Sequence, residues 1–161
     1  LRDQKLNSIH EGTTTIQGLD LLGRKVIAGG GAALMALDRR VRDALARGEA
    51  NGVEFGAPLA AGMDELLRVT GTLGAKGASG DVIGMLGHSA DFLELASIVA
   101  IGWAWMELAS RAAGKTDDFS RGLVQTAKYW LATELPRTAH LASLCESNES
   151  SYLELQDAWL G

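Results

Sequence analysis

The chain is poor in cysteine and proline, and each scarcity excludes a class of protein. Among 161 residues there are one cysteine and two prolines. A single cysteine rules out an internal disulfide and a Cys-x-x-Cys metal pair, and it is typical of a reducing compartment, so we expect a cytoplasmic protein. Because proline interrupts helices, its presence only at positions 58 and 136 leaves room for long helical segments.

Blocks of like charge and long apolar runs are also missing. The net charge is -5, and no basic stripe offers a surface for nucleic acid. The longest apolar run, LASIVAIGWAWM at 95–106, is about half of the roughly 20 residues that a membrane span needs, so it predicts a buried helix and no membrane span. The opening LRDQKLNS lacks the apolar core of a signal peptide, and a start at leucine leads us to expect part of a longer protein.

Apolar residues recur at helical spacing, and few segments alternate with period two. The pattern predicts an all-α fold, an antiparallel bundle of about four to five helices. In segment 15–27 the stripe of apolar residues consists of Ile16, Leu19, Leu22, Val26 and Ile27. Gly29, Gly30 and Gly31 then predict a helix end and a sub-domain boundary, because each glycine costs about 1 kcal/mol inside a helix.

The remaining helices are predicted from periodicity and cap residues. Asp81 and either Asp117 or Asp118 are suitable N-caps, and Pro136 is expected to kink the last helix. The apolar tail SSYLELQDAWLG is expected to dock back onto the bundle. The expected helices after the triple glycine are 32–47, 58–76, 82–113 and one that begins near 118 and continues past Pro136.

Several residues could serve a metal or a ligand, but simpler interpretations are preferred. His88, with Asp91 and Glu94 nearby, could ligate a metal, although a partly exposed structural histidine explains it better. The Glu-x-x-His spacing of di-metal bundles is missing, so we predict no metal site. His140 has no carboxylate cluster, and Cys145 is interpreted as a buried thiol.

Three further features have structural interpretations. AGGGAAL follows no strand and lacks the G-x-G-x-x-G spacing of a phosphate-binding loop. Trp103 and Trp105 fit core and groove packing. The charge run at 39–43 fits a solvated helix face.

The stretch IHEGTTTIQ at 9–17 admits two interpretations. Thr14 and Gln17 fit a capping box, which makes it an ordinary helix start. Alternatively, Glu11 is a base beside a helix N-terminus that receives an anion, with Gly12 allowing close approach of a ligand. Enclosure beneath a ligand would raise the pKa of Glu11 from about 4.3 toward neutrality. The residues alone leave both open.

The segment LRDQKLNSIHEGTTTIQ resembles the late part of acyl-CoA dehydrogenases, where R-D-x-K precedes (Tyr or Trp)-Glu-Gly-Thr and then Ile-Gln. The continuation GLDLLGRKV and the later GWAWMELA run are similar to the larger bacterial members, which carry an additional C-terminal helical domain. The specific match covers about the first 27 residues. The matching residues are Arg2, Asp3, Lys5, Ile9, Glu11, Gly12, Thr13, Ile16 and Gln17.

The resemblance implies a chemistry and a set of site residues. In this family a glutamate removes the α-proton of an acyl-CoA thioester while FAD accepts a hydride from the β-carbon, giving the trans-2-enoyl-CoA. Glu11 matches that base, Gly12 a neighbour of the thioester, and Thr13 and Thr15 positions that contact FAD. The sequence departs from the family pattern at His10, which replaces the aromatic residue, and at Thr15, where an amide side chain is common.

The resemblance also implies an organisation and partners. Residues 1–28 would end the catalytic helical domain and residues 29–161 would form the additional bundle. The N-terminal helical and central β-domains are not in this sequence, so the fragment alone should be inactive. An electron-transfer flavoprotein and a homo-oligomer are implied partners. The alternative is a non-enzymatic helical interaction or oligomerisation module, in which 31–161 forms the contact bundle.

Overall fold

A computed structural model describes residues 13–160, and within this range the chain is helical with no strand. The all-α prediction is therefore confirmed, and five helices here have eleven or more residues. The helices are α1 (Thr14–Leu19), a π-helical segment (Asp20–Ile27), α2 (Ala32–Ala50), α3 (Ala57–Ala78), α4 (Val82–Leu86), α5 (Ser89–Ala112), α6 (Asp118–Glu134) and α7 (Arg137–Ser147), followed by two 3₁₀ turns (Ser151–Glu154 and Asp157–Trp159).

Helix α5 is the central helix of the bundle. It packs against α1, α2, α3, α6 and α7, and Phe92, Leu95 and Val99 on it are completely buried. The apolar run thus forms a buried helix, as predicted. The stretch Val82–Ala112, which spans α4 and α5, is the one in residues 13–160 that is long and apolar enough to cross a membrane, a property that the core helix of a bundle shares.

The predicted helix 82–113 is in fact two helices. Asp81 caps α4 as expected, because its Oδ1 accepts a hydrogen bond of 2.8 Å from the backbone N–H of Gly84. The helix then stops at Gly87, and α5 begins after His88, whose backbone is non-helical. The interruption has one local and one long-range cause: glycine weakens a helix interior, and the His88 ring lies against the chain after α7, where Nε2 is 3.2 Å from the carbonyl oxygen of Glu149.

Pro136 does more than kink the last helix; it separates α6 from α7. Proline has no N–H to donate and clashes with the preceding turn, so the helix restarts at Arg137. The completely enclosed Leu135 at this corner lies against Gly62 of α3 and Gly102 of α5. A Cβ on either glycine would lie 2.9 or 3.0 Å from a Leu135 methyl, so these glycines let three helices approach closely.

The triple glycine ends the first helical stretch as predicted. Gly30 and Gly31 have positive φ values of 62° and 73°, a conformation that other residues rarely adopt. Even so, the residues on the two sides of this turn share one hydrophobic core, in which Leu22 is completely buried. The division into 1–28 and 29–161 stays a prediction.

The tail does not dock back onto the bundle, contrary to expectation. Residues 150–160 are exposed, and the side chains of Trp159 and Leu160 are 64% and 67% accessible. The tail meets the bundle near its start, where the carbonyl oxygen of Glu149 lies 3.2 Å from His88 Nε2 and the Tyr152 hydroxyl approaches Gly87.

Candidate active site

The residues predicted for catalysis lie at the start of the described part of the chain. Thr13 and Thr15 fall within it, whereas Glu11 and Gly12 lie outside the described residues. Glu11 stands three residues before the first residue of α1, so the geometry of α1 determines what surrounds the end of the predicted catalytic segment.

Thr13, rather than Thr14, is the N-cap of α1. Its backbone is extended, with φ -63° and ψ 136°, and its Oγ1 accepts a hydrogen bond of 3.4 Å from the N–H of Ile16. The capping box predicted from Thr14 and Gln17 is therefore wrong by one position. The cause is that three consecutive threonines offer equivalent caps, and local sequence cannot choose among them.

Gly18 is the residue through which α1 packs most closely against the bundle. A Cβ built on this glycine would lie 2.4 Å from the carbonyl oxygen of Ser89, so the two backbones pass closer than any side chain permits. Gly18, Leu22 and Val26 are all buried and succeed one another at intervals of four, which makes them the face that meets the bundle.

This packing corrects the predicted apolar stripe. Ile16 and Leu19 were expected to face the core with Leu22, but they are 60% and 39% exposed. Apolar periodicity does not identify the glycine that makes the contact between α1 and the bundle, because a glycine carries no apolar side chain. Ile16 and Leu19 are thus left open on the exposed side of α1, beside Thr14, Thr15 and Gln17.

An uncharged groove of about 420 Å³ runs beside the exposed side of α1. Thr15 stands on its rim with its side chain exposed, so the predicted FAD contact is accessible. The wall residues are Leu19, Val82, Ile83, Leu86, Gly87, Ser89 and Tyr152.

The π-helical segment after α1 was not predicted. In it Asp20 forms ion pairs with Arg24 Nε at 2.5 Å and with Lys25 Nζ at 3.1 Å. The hydrogen bond from Arg24 and then that from Lys25 lower the pKa of the partly buried Asp20 carboxyl. The wider π-turn brings a residue five positions along onto the same side as Asp20. The sequence feature that could have indicated the π-helical segment is a carboxylate followed by cations at both i+4 and i+5.

The structure does not assemble a metal site from His88, Asp91 and Glu94. His88 Nδ1 lies 2.9 Å from Asp91 Oδ2, but Glu94 pairs with Arg137. No group of three metal-ligating side chains occurs among residues 13–160. Instead, His88 links the start of α5 to the chain after α7.

Cys145 is a buried thiol, as predicted. Its side chain is completely enclosed, and burial, reinforced by Asp91 and Glu146, raises its pKa to about 12. Because the thiolate is the reactive form, we expect no modification of Cys145 by a maleimide at pH 7.5 in the native chain and complete modification after unfolding in urea, followed by mass spectrometry. Rapid labelling of the native chain would contradict the burial.

The charged residues of the run at 39–43 form a solvated face, as interpreted. Arg42 pairs with Asp38 and Asp64 on the surface. The Arg40 guanidinium lies 5.8 Å from the ring centre of Trp103, within the range of a cation–π contact. Trp103 and Trp105 are partly buried against the core, consistent with packing.

The comparisons with known proteins place the bundle in a family. The sequence model of the family described as "Acetyl-CoA dehydrogenase C-terminal like" matches residues 37–156. The chain therefore belongs to this family of helical domains, which confirms the resemblance to acyl-CoA dehydrogenases.

Two relatives extend the likeness. The broad-specificity linear acyl-CoA dehydrogenase FadE5 of Mycobacterium tuberculosis is 30% identical over 176 aligned positions, which cover 98% of this chain and 28% of the relative. The 3-methylmercaptopropionyl-CoA dehydrogenase of Ruegeria pomeroyi is 32% identical over 141 positions, 78% of this chain and 23% of the relative. The chain thus spans about a quarter of the length of these relatives.

Proposed function

We propose that this chain forms the C-terminal part of an FAD-dependent acyl-CoA dehydrogenase that oxidises an acyl-CoA thioester to the trans-2-enoyl-CoA. One observation carries the proposal: the Glu-Gly-Thr motif directly precedes α1, and Gly18 holds α1 against the first residue of the central helix of the family domain. The names of both relatives describe oxidation of acyl-CoA thioesters, which supports this substrate class.

In the proposed organisation, residues 1–28 end the catalytic helical domain and residues 29–161 are the additional bundle. The family match begins at residue 37, inside the second part. The catalytic segment is supported by the bundle beneath it, since Leu22 and Val26 lie in the common core.

The roles of the site residues follow the resemblance. Glu11 accepts the α-proton of the thioester, and Gly12 lies beside the thioester. FAD, when bound, supplies the acceptor for the β-hydride. Thr13 fits a cofactor contact, because its hydroxyl oxygen accepts from Ile16 while its O–H can still donate, and Thr15 is exposed at the groove.

The same proposal includes the wider context of the enzyme. Electrons leave the reduced flavin through an electron-transfer flavoprotein, the enzyme is a homo-oligomer, and it works in the cytoplasm. These proposals follow from the resemblance and from the single cysteine.

The cofactor distinguishes the whole protein from this part of it. We expect the longer polypeptide that contains this sequence to purify yellow, with FAD bound stoichiometrically, and to form enoyl-CoA from acyl-CoA. The 161-residue chain should be colourless after incubation with FAD, because Thr13 and Thr15 alone cannot enclose a flavin. Absorbance at the flavin bands after gel filtration measures the FAD bound to each of the two proteins. Stoichiometric FAD on the 161-residue chain would contradict the proposal that most of the flavin site lies outside this sequence.

A further inference from the structure

Within residues 13–160, one side of the central helix α5 is exposed along most of its length. Ile101 and Leu108 are 47% and 43% exposed there, while Leu95, Val99 and Met106 on the opposite side are buried. Residues on the exposed side follow one another at alternating intervals of three and four, the spacing of a seam between two helices. We call them the α5 stripe and define it by Glu94, Ser97, Ile101, Ala104, Leu108 and Arg111, of which all but the partly buried Ser97 are exposed.

From this stripe we propose that two copies of the chain pair through α5, with the two helices antiparallel across a twofold axis. The proposal rests on the homo-oligomer of the proposed function and adds the surface through which the copies meet. The axis is level with the midpoint between residues 102 and 103, because the stripe is symmetric about that point. Each stripe position then faces another stripe position of the second copy, in three pairs: Glu94 with Arg111, Ser97 with Leu108, and Ile101 with Ala104.

The charges at the two ends of the stripe select the antiparallel arrangement. Glu94 and Arg111 have side chains that are 46% and 75% exposed. An antiparallel pair brings a carboxylate to a guanidinium at both ends, whereas a parallel pair would place like charges together. Both groups can take this contact in addition to their own, since Glu94 uses Oε1 for Arg137 and Arg111 uses Nε for Glu107. A carboxylate has a second oxygen, and a guanidinium has further N–H donors.

The sizes of the side chains fit the same arrangement. In the antiparallel pair Leu108 lies against Ser97 and Ile101 lies against Ala104, so each large side chain meets a small one and the two helices can pack closely. A parallel pair would place leucine on leucine and isoleucine on isoleucine, with gaps at the small residues. The stripe is about 25 Å long at 1.5 Å per residue. Because its charges and sizes complement its own after a half-turn, a second copy fits it as an isologous contact.

Charge reversal followed by mixing tests the pairing in the longer polypeptide. Glu94→Arg faces Arg111 of the second copy with a like charge, and Arg111→Glu does the same to Glu94. Each variant alone should therefore raise the dimer dissociation constant by at least about tenfold. A one-to-one mixture of the two variants restores opposite charges at both ends, and the dissociation constant should return to within about threefold of the unsubstituted value.

Sedimentation velocity over a concentration series measures the dissociation constants. The matched control reverses an ion pair of α6 that lies outside the stripe, with Asp118→Arg and Arg121→Glu. These two variants should leave the dissociation constant within about twofold of the unsubstituted value, alone and mixed.

Unchanged dissociation constants in the α5 variants would overturn the proposal, as would a mixture that stays dissociated. Loss of the contacts with Arg137 and Glu107 inside each copy cannot imitate the expected result, because mixing does not repair them. If the reversals prevent folding, as circular dichroism shows, Ser97→Cys and Leu108→Cys on separate copies replace them. A short bis-maleimide should join these two variants to each other and neither to itself, while the buried Cys145 stays silent; no joined product refutes the pairing.

The remaining outcomes separate this surface from the catalytic proposal. A monomeric longer protein in which position 108 is protected from a maleimide would assign the stripe to the rest of the polypeptide and refute the pairing. A dimer that responds as expected but lacks FAD refutes only the catalytic part of the proposed function. An active monomer refutes only the homo-oligomer and its surface.

Discussion

Glu11→Gln in the longer protein should abolish reduction of the flavin by acyl-CoA while FAD stays bound. Glutamine keeps the size of the side chain but cannot accept the α-proton, and loss of a general base costs about 10²–10⁴-fold in rate. Anaerobic mixing with acyl-CoA, followed by bleaching of the flavin absorbance, measures the chemical step without the electron-transfer partner.

Two readouts make this result specific to proton abstraction. The FAD-to-protein ratio should stay within about twofold of that of the unsubstituted enzyme, and so should the affinity for a thioether analogue that cannot be oxidised. The substitution removes the abstraction of the α-proton and leaves the binding surfaces in place. The control Glu54→Gln changes an exposed glutamate in the α2–α3 loop and should bleach at the normal rate. Unimpaired bleaching by Glu11→Gln would remove Glu11 from the catalytic role.

The sequence predicted those structural features that are determined by residues close together in the chain. Apolar spacing located the buried central helix, and Asp81 and Asp117 were correct as N-caps because capping is a contact over three residues. The break at Gly87 was missed, since the apolar pattern continues through it and only the contact of His88 with Glu149, 61 positions away, marks the corner.

The candidate site shows the same division. The motif around Glu11 could be recognised from its residues alone, whereas the packing of α1 against the bundle could not. Ile16 and Leu19 look like core residues by spacing, yet the contact belongs to Gly18. A close approach of two backbones leaves no apolar signature, only a glycine, and this chain has 20 glycines.

Gly18→Ala should be the most informative single change in the 161-residue chain. Alanine normally stabilises a helix by about 1 kcal/mol relative to glycine. At position 18 the added methyl would meet the Ser89 carbonyl oxygen at 2.4 Å, and this oxygen is a backbone atom that no rotamer change can move aside. We expect the free energy of unfolding to fall by about 1–3 kcal/mol, the usual cost of overpacking.

The control Gly122→Ala makes the same chemical change inside α6, where nothing lies within 4 Å of the new Cβ, and it should raise stability by about 0.4–1 kcal/mol. Urea unfolding followed by circular dichroism gives both values, and amide exchange of residues 14–27 shows whether α1 is what loosens. In the longer protein, displacement of α1 also moves Thr13 and Thr15, so Gly18→Ala should weaken FAD retention while Gly122→Ala leaves it unchanged. If the two alanines have the same effect on stability, Gly18 does not hold the catalytic segment on the bundle. Opposite signs would mean that the packing of α1 against the bundle depends on Gly18, seven residues after the proposed base.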